Sequence, residues 1–111
     1  MLLLLIAGLA AAQGTPVACP ADSANKPLEY TSVIEVINGS EGDLAPDDET
    51  KKGDNVVQLW KLAPMAGSKM ILRCTYRDTK TAVTLELPKD LRVCTKNFTM
   101  SGKGPVSIAC K

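Results

Sequence analysis

Four cysteines constrain the fold of this chain more than any other feature of its sequence. They are Cys19, Cys74, Cys94 and Cys110, in a chain of 111 residues. An even number of cysteines in a small exported domain is typical of a disulfide framework. No two of them are spaced as Cys-x-x-Cys, which argues against a structural zinc site and against a thioredoxin-like redox pair. The spacing therefore predicts two disulfides.

Four cysteines can pair in three ways. We favour Cys74 with Cys94, because they lie at the ends of neighbouring segments. We favour Cys19 with Cys110, because that bond would tie together the chain ends, which otherwise fray. Under this hypothesis the first disulfide pins a β-hairpin to the strand or turn that follows it. The other pairings stay open at this point.

The first fourteen residues, MLLLLIAGLAAAQG, are uncharged and combine a leucine run with small residues, as secretory signal peptides do. The apolar run is far shorter than the roughly 20 residues that a membrane-spanning helix needs. Pro16 stands where a lipoprotein signal has leucine before Cys19, which argues against a lipid anchor. We predict a signal peptide at residues 1–14, a single disulfide-linked β-domain at residues 15–111, and a periplasmic or secreted protein.

Five segments have the composition of β-strands, being rich in β-branched and apolar residues and bounded by turn-forming residues. They are Thr31–Ile37, Asn55–Leu62, Lys69–Tyr76, Thr81–Leu87 and Pro105–Cys110. Alternation in the third and fourth predicts one buried and one solvated face, with Arg77–Lys80 as the hairpin loop between them. Trp60 is predicted to pack in the core. The predicted fold is mainly β: a small antiparallel sheet, a sandwich or a partly open barrel with two disulfides.

The longest stretch without apolar periodicity is Asn38–Asp54, which contains three glycines, a proline and many charges. We predict a long surface loop, with at most one or two helical turns near Pro46–Lys52, where acidic residues precede lysines. Long loops in compact domains are often functional. We predict that this loop presents charge to a partner protein through Asp43, Asp47, Asp48, Glu49, Lys51 and Lys52.

The chain contains no histidine, which removes the Ser-His-Asp and Cys-His arrangements and the commonest zinc ligand. A net charge of +1 and few aromatic residues argue against a nucleic-acid surface. Asp47, Asp48 and Glu49 form an acidic cluster, but a glycosidase acid needs an apolar pocket and this cluster lies beside lysines. We predict no catalytic residue, no cofactor and no metal site.

Several short motifs occur in an order that resembles a known family. They are Cys19-Pro20, Leu44-Ala45-Pro46-Asp47, Trp60-Lys61-Leu62, Cys74-Thr75-Tyr76, Leu87-Pro88, Cys94 and the closing Cys110-Lys111. This order is similar to that of a family of small, uncharacterised secreted proteins of Gram-negative bacteria, some of which are associated with type VI secretion genes. The resemblance implies an immunity protein that blocks a peptidoglycan-degrading toxin.

We favour a periplasmic binding or inhibitory protein that is not an enzyme. A rigid, disulfide-linked scaffold lowers the entropy cost of binding a protein partner, here a cell-wall hydrolase. One alternative is a structural envelope protein without a discrete site. Another is an enzyme that uses carboxylates or a free thiol.

Overall fold

The computed structural model describes residues 15–111, so the predicted signal peptide at residues 1–14 lies outside the described residues. Within residues 15–111 the chain forms ten strands and no helix. In chain order they are β1 Val17–Ala18, β2 Asp22–Ser23, β3 Lys26–Ile37, β4 Ser40–Asp43, β5 Asp48–Lys52, β6 Asn55–Lys61, β7 Lys69–Tyr76, β8 Ala82–Leu87, β9 Val93–Thr99 and β10 Ser107–Cys110. The prediction of a mainly β fold is confirmed.

The strands form two antiparallel sheets, which pack against each other and do not close into a barrel. Sheet 1 has the order β1-β10-β9-β6-β5. Sheet 2 has the order β2-β3-β7-β8, and β4 also pairs with β3. The predicted hairpin between β7 and β8 is confirmed, with Thr75 opposite Ala82. Strands β5 and β8 lie at sheet edges.

The predicted long loop at Asn38–Asp54 is wrong, because β4 and β5 occupy most of it. No helical turn forms at Pro46–Lys52. Every residue of β4 and β5 is exposed, so these strands have no apolar alternation to reveal them. Their backbones are instead held by pairing with β3 and β6. Asn38 and Gly39 have φ values of 52° and 80°, and they form the two-residue turn between β3 and β4.

The core lies between the two sheets and contains one cluster of buried side chains. Its members are Cys19, Leu28, Val33, Trp60, Met70, Leu72, Cys74, Tyr76, Leu87, Leu91, Cys94, Ile108 and Cys110. Trp60 is 6% exposed, which confirms its predicted place in the core. Its indole Nε1 donates a hydrogen bond to the carbonyl oxygen of Leu44 at 2.8 Å.

The outer face of sheet 2 departs from the predicted solvated face at two positions. Ile34 and Ile71 are opposite each other on β3 and β7, and both are buried. Arg73 forms a bidentate hydrogen bond with Glu41 across β3, with both N···O distances 2.9 Å. Arg73 is in register with Ser32, whereas Glu41 is in register with Val36. Ile34 therefore lies between the two register positions that the ion pair joins.

The two disulfides join different cysteines from those we favoured. Cys19 is bonded to Cys74, and Cys94 is bonded to Cys110. Cys94 and Cys110 lie directly opposite each other on β9 and β10, with their Cα atoms 3.9 Å apart. Cys74 lies on β7 in the other sheet. The predicted pairing of Cys74 with Cys94 is wrong because the chain crosses from sheet 2 to sheet 1 between them, and Cys94 already has a partner on the adjacent strand.

Two of the short sequence motifs meet where the chain crosses from β4 to β5. The crossover consists of residues 44–47. The backbone N–H of Leu44 donates to Val33 at 2.9 Å, and the carbonyl of Leu44 accepts the indole hydrogen bond of Trp60. The carboxylate of Asp47 accepts the backbone N–H of Lys61 at 2.6 Å. In this structure the Leu-x-Pro-Asp and Trp-x-Leu motifs therefore hold the two sheets together.

Candidate functional site

The charged segment that the sequence predicts as a partner contact forms two exposed strands and the crossover between them. Asp43 ends β4, and β5 carries Asp48, Glu49, Lys51 and Lys52. All of these side chains face solvent. The structure therefore brings the predicted contact residues to one side of the sandwich, with Asp47 in the crossover and the others on strands.

Two acidic residues of this segment, Asp47 and Asp48, contact Lys61 of β6. Besides its carboxylate contact with Lys61, Asp47 donates its backbone N–H to the carbonyl of Leu59 at 2.8 Å. The Asp48 carboxylate lies 3.6 Å from the Lys61 Nζ. Asp47 thus positions the crossover, and a substitution there would alter the scaffold as well as the surface.

The remaining charged side chains project from the edge strand β5. Glu49 accepts a hydrogen bond from Gln58 Nε2 at 2.7 Å and lies 3.7 Å from Lys51 Nζ. Exposed ion pairs of this kind contribute little to stability. Charged side chains on an edge strand do, however, prevent it from pairing with unrelated chains. The charges of β5 are thus suited to edge protection and remain available to a partner.

The residues considered for catalysis are not arranged for it. All four cysteines are in disulfides, so the described chain has no free thiol nucleophile. The carboxylates of Asp47, Asp48 and Glu49 lie on an exposed edge and not in an apolar pocket. Residues 15–111 contain no cluster of side chains suited to a metal ion.

A second surface, which the sequence does not predict, is a cleft between the two sheets. It opens at the end of the sandwich where β3 begins and β9 ends, and it has a volume of about 930 Å³. Tyr30 and Arg77 line it from sheet 2, and Lys96, Phe98 and the loop between β9 and β10 line it from sheet 1. This volume is at the upper end of the range for ligand-binding pockets.

Lys96 is the most unusual group in the cleft. Its side chain is half-buried, and its Nζ lies 5.1 Å from the centre of the Phe98 ring. Burial lowers the pKa of Lys96. Within residues 15–111 no carboxylate forms an ion pair with it, whereas Arg77 in the same cleft pairs with Glu29 at 3.2 Å. Lys96 is therefore a cation that an aromatic ring supports but no described carboxylate neutralises.

The loop between β9 and β10 forms the rim of the cleft and is held by side-chain hydrogen bonds. Asp54 accepts the backbone N–H and the hydroxyl of Ser101, at 2.9 and 2.6 Å, and these bonds lower the pKa of Asp54. Thr99 Oγ1 accepts the backbone N–H of Gly104 at 2.9 Å. A Cβ atom on Gly104 would lie 2.6 Å from Thr99 Cγ2, so this position requires glycine. These hydrogen bonds hold the loop that carries Lys103.

The cleft was not predicted from the sequence because strand β9 was not predicted. The segment Val93–Thr99 has polar residues at most positions, and its apolar side chains show no clear alternation. Its β-branched and aromatic residues, Val93, Thr95, Phe98 and Thr99, were a usable signal for a strand. Tyr30 was missed for a related reason, because β3 begins at Lys26 and the prediction began at Thr31. No local pattern could show that Lys96 faces a cleft, since that depends on the second sheet.

The fold and the two surfaces define a small, disulfide-linked β-sandwich suited to binding a partner. The chain belongs to the Type VI secretion system Tli immunity protein family, whose family model matches residues 23–111. The match begins after the Cys19-Pro20 motif. Comparison with curated proteins and with solved structures gave no match. The chain is thus an immunity protein, and its partner is a secreted toxin. Within residues 15–111 there is no helix long and apolar enough to cross a membrane.

Proposed function

We propose that this protein resides in the periplasm, binds its type VI toxin directly and blocks the toxin without a catalytic step of its own. Membership of the immunity family supports the toxin partner. Two disulfides support an oxidising compartment, because such bonds persist outside the cytoplasm. Buried disulfides and a bonded rim loop also give a scaffold that loses little conformational freedom on binding.

The observation that carries this proposal is that every residue of β4 and β5 is exposed, whereas the apolar core between the two sheets is buried. We propose that Asp43, Asp47, Asp48, Glu49, Lys51 and Lys52 contribute to the toxin contact. Mixed charges at the rim of an interface mainly set the association rate and the choice of partner. An edge strand that carries both signs of charge is suited to that role.

The contact is tested with the purified type VI toxin that this chain inhibits. A variant with Asp48→Asn, Glu49→Gln, Lys51→Gln and Lys52→Gln removes charge and leaves Asp47 in the crossover. We expect the association rate to fall by about tenfold at low salt and by less at high salt.

The matched control for that experiment removes the same number of charges from two exposed turns. It carries Asp78→Asn, Lys80→Gln, Lys89→Gln and Asp90→Asn, all at exposed positions. We expect its association rate to equal that of the wild type. Equal association rates for all three proteins would show that β5 is not part of the interface. The immunity assignment would still stand if the wild type inhibited the toxin.

The periplasmic site of action is tested by protection of growing cells. Cells that export the toxin are expected to survive when they express the full chain. They are expected to die when residues 1–14 are deleted, and to survive again when an unrelated signal peptide replaces them. Survival with the deleted form would contradict both the signal peptide and the periplasmic location.

The substrate of the toxin is a separate prediction, which rests on the resemblance drawn from the sequence motifs. That resemblance implies peptidoglycan, so the purified toxin should release soluble fragments from isolated cell-wall sacculi, and this chain should stop the release. Phospholipid vesicles are the parallel substrate. Release of fatty acid from vesicles without attack on sacculi would show that the toxin attacks membrane lipid and is not a cell-wall hydrolase. If the chain inhibits no toxin and crosslinks only to envelope components, the structural alternative holds.

A further inference from the structure

The cleft between the sheets has an excess of positive charge that the described chain does not balance. Its lining includes Arg77, Lys96 and Lys103, with Glu29 as the only carboxylate among its lining residues within residues 15–111. Glu29 already pairs with Arg77. Two cations are therefore left without an acidic partner in a cleft whose formal charge exceeds the net charge of +1 for the whole chain.

Lys96 is the cation whose partial burial is energetically unfavourable in the isolated protein. It projects inward from β9, in register with Ile108 on one side and with Gln58 on the other. Taking an ammonium group partly out of water is unfavourable unless a counter-charge compensates it. The Phe98 ring offsets a part of that cost. A carboxylate brought by a partner would offset the rest.

Lys103 differs from Lys96 because it is exposed on the rim loop. Gly102, which precedes it, has a φ of 76°, and its backbone N–H donates to the carbonyl of Thr99 at 3.1 Å. The backbone N–H of Lys103 donates to Ser101 Oγ at 3.3 Å. The loop backbone is therefore fixed before any partner arrives, which reduces the ordering cost of binding.

The apolar side chains near these lysines indicate the kind of anion that fits. Phe98 faces the cleft beside Lys96, and Tyr30 stands at the mouth with 65% of its surface exposed. Aromatic side chains at a concave surface are typical anchors for a protein partner. In addition, Lys51 of β5 lies in register with Val56, and Val56 lies in register with Phe98, so the exposed edge already proposed as a toxin contact is two strands away from Phe98 in the same sheet.

We propose that the cleft receives an acidic loop of the toxin, with one carboxylate on Lys96, a second near Lys103 and an apolar neighbour against Phe98 and Tyr30. This inference rests on the proposed function, because it names the chemistry of the toxin segment. It also gives the two lysines different roles. Lys96 holds the bound loop, whereas Lys103 attracts it.

The first test is crosslinking of the complex between this chain and its type VI toxin. A water-soluble carbodiimide joins an amine to a carboxylate only where the two are in contact. We expect Lys96 and Lys103 to be joined to aspartate or glutamate of the toxin, as found by mass spectrometry of the peptides. Lys89, on an exposed turn at the other end of β8, is the matched lysine that should not be joined.

The second test is the effect of single substitutions on binding kinetics. Lys96→Gln should weaken the complex by about 30-fold or more, chiefly through faster dissociation, because it leaves a desolvated carboxylate unpaired. Lys103→Gln should slow association several-fold and reduce its dependence on salt. Lys96→Arg keeps the charge and should bind more tightly than Lys96→Gln, and Lys89→Gln should bind as the wild type does.

A stability measurement separates a binding role from a structural role for Lys96. If the ammonium group is held for the partner, Lys96→Gln should keep or raise the melting temperature of the free protein while it weakens the complex. A lower melting temperature with unchanged affinity would overturn the proposal. So would carbodiimide products on Lys89 alone, or lysine-dependent binding to vesicles of anionic phospholipid without any effect on the toxin complex. Failure of the wild type to inhibit the toxin would instead overturn the proposed function itself.

Discussion

Asp54 shows how a single side chain can organise a binding loop from a distant turn. It follows Gly53 in the two-residue turn between β5 and β6 and reaches the loop after β9. Its carboxylate accepts hydrogen bonds from the backbone N–H and the hydroxyl of Ser101, and its own carbonyl accepts the backbone N–H of Met100 at 2.8 Å. The loop that presents Lys103 is therefore held by a residue almost fifty positions earlier in the chain.

This arrangement predicts a pH-dependent contribution of Asp54 to stability. Its hydrogen bonds with Ser101 lower its pKa below the ordinary value of 3.8. The folded protein thus binds this proton more weakly than the unfolded chain does, so Asp54 stabilises the fold above the unfolded pKa. That contribution is lost as the pH falls through the lowered pKa. Asp54→Asn should reduce the free energy of unfolding at pH 7 and have little effect near about pH 2.

Urea unfolding at both pH values measures this effect, and Asp90→Asn on an exposed turn is the control. The control should be neutral at both pH values. A loss for Asp54→Asn that is as large in acid as at neutral pH would show that the carboxylate charge is not the source of the stabilisation.

At the level of strands, the sequence predicted best those elements that bury one face. The prediction for β7 matches the observed strand at both ends, because Met70, Leu72, Cys74 and Tyr76 are buried and, apart from the buried Ile71, alternate with more exposed side chains. Strands β4 and β5 bury no side chain, and only the Asn38-Gly39 turn marked the first of them. Strand β9 was missed because its apolar side chains show no clear alternation, although its β-branched and aromatic residues favour a strand.

The two disulfides join different elements, so removing each one is predicted to lower the free energy of unfolding by a different amount. Cys19–Cys74 joins the residue after β1 of sheet 1 to β7 of sheet 2 and closes 55 residues, whereas Cys94–Cys110 joins adjacent strands and closes 16. The chain-entropy model gives about 4 kcal/mol for the first and about 3 kcal/mol for the second. Paired Cys→Ala substitutions, compared by denaturant unfolding, should show this order.

The pairing itself is checked by tryptic digestion without reductant. Cleavage after Arg73, Arg77, Arg92, Lys96 and Lys103 places Cys74, Cys94 and Cys110 in separate peptides. The peptide with Cys74 should be joined to the N-terminal peptide that ends at Lys51, and the peptides with Cys94 and Cys110 to each other. A product that joins the peptides of Cys74 and Cys94 would restore the pairing we favoured from the sequence.

For the whole molecule, the two ends of the sandwich differ. At one end Leu62, Met70, Leu87 and Leu91 pack together and leave about 10 Å³ of space. At the other end the sheets separate into the cleft of about 930 Å³. The closed end and the disulfides supply a rigid core, and the open end supplies a surface for the partner. The closed end and the open cleft are therefore different regions of one small fold.

This organisation predicts the order in which the disulfides are reduced in the native protein. Cys74, Cys94 and Cys110 are 0% exposed, and Cys19 is 8% exposed. A thiolate must reach a sulfur atom to reduce the bond, so reduction requires local opening. Cys19 follows a two-residue strand at a sheet edge, where fraying is easiest. We expect dithiothreitol to reduce Cys19–Cys74 first, as measured by alkylation and mass spectrometry over time.

The control for this experiment is the same reaction in urea, where both bonds should be reduced quickly and at similar rates. Earlier reduction of Cys94–Cys110 in the native protein would show that the β9–β10 hairpin opens more readily than β1. That result would also argue against a rigid rim loop, because the loop joins these two strands.

The sequence by itself determined the fold class, the disulfide-bonded state of the cysteines and the core position of Trp60. Each of these follows from local alternation, from composition or from an even cysteine count. Only the tertiary structure decided which cysteines meet, that the charged stretch forms edge strands, and that Lys96 faces an open cleft. The physical reason is that each of these depends on contacts between two sheets whose strands are not in sequence order. A local pattern specifies which face of a strand is apolar, but it does not specify what the other sheet places opposite that face.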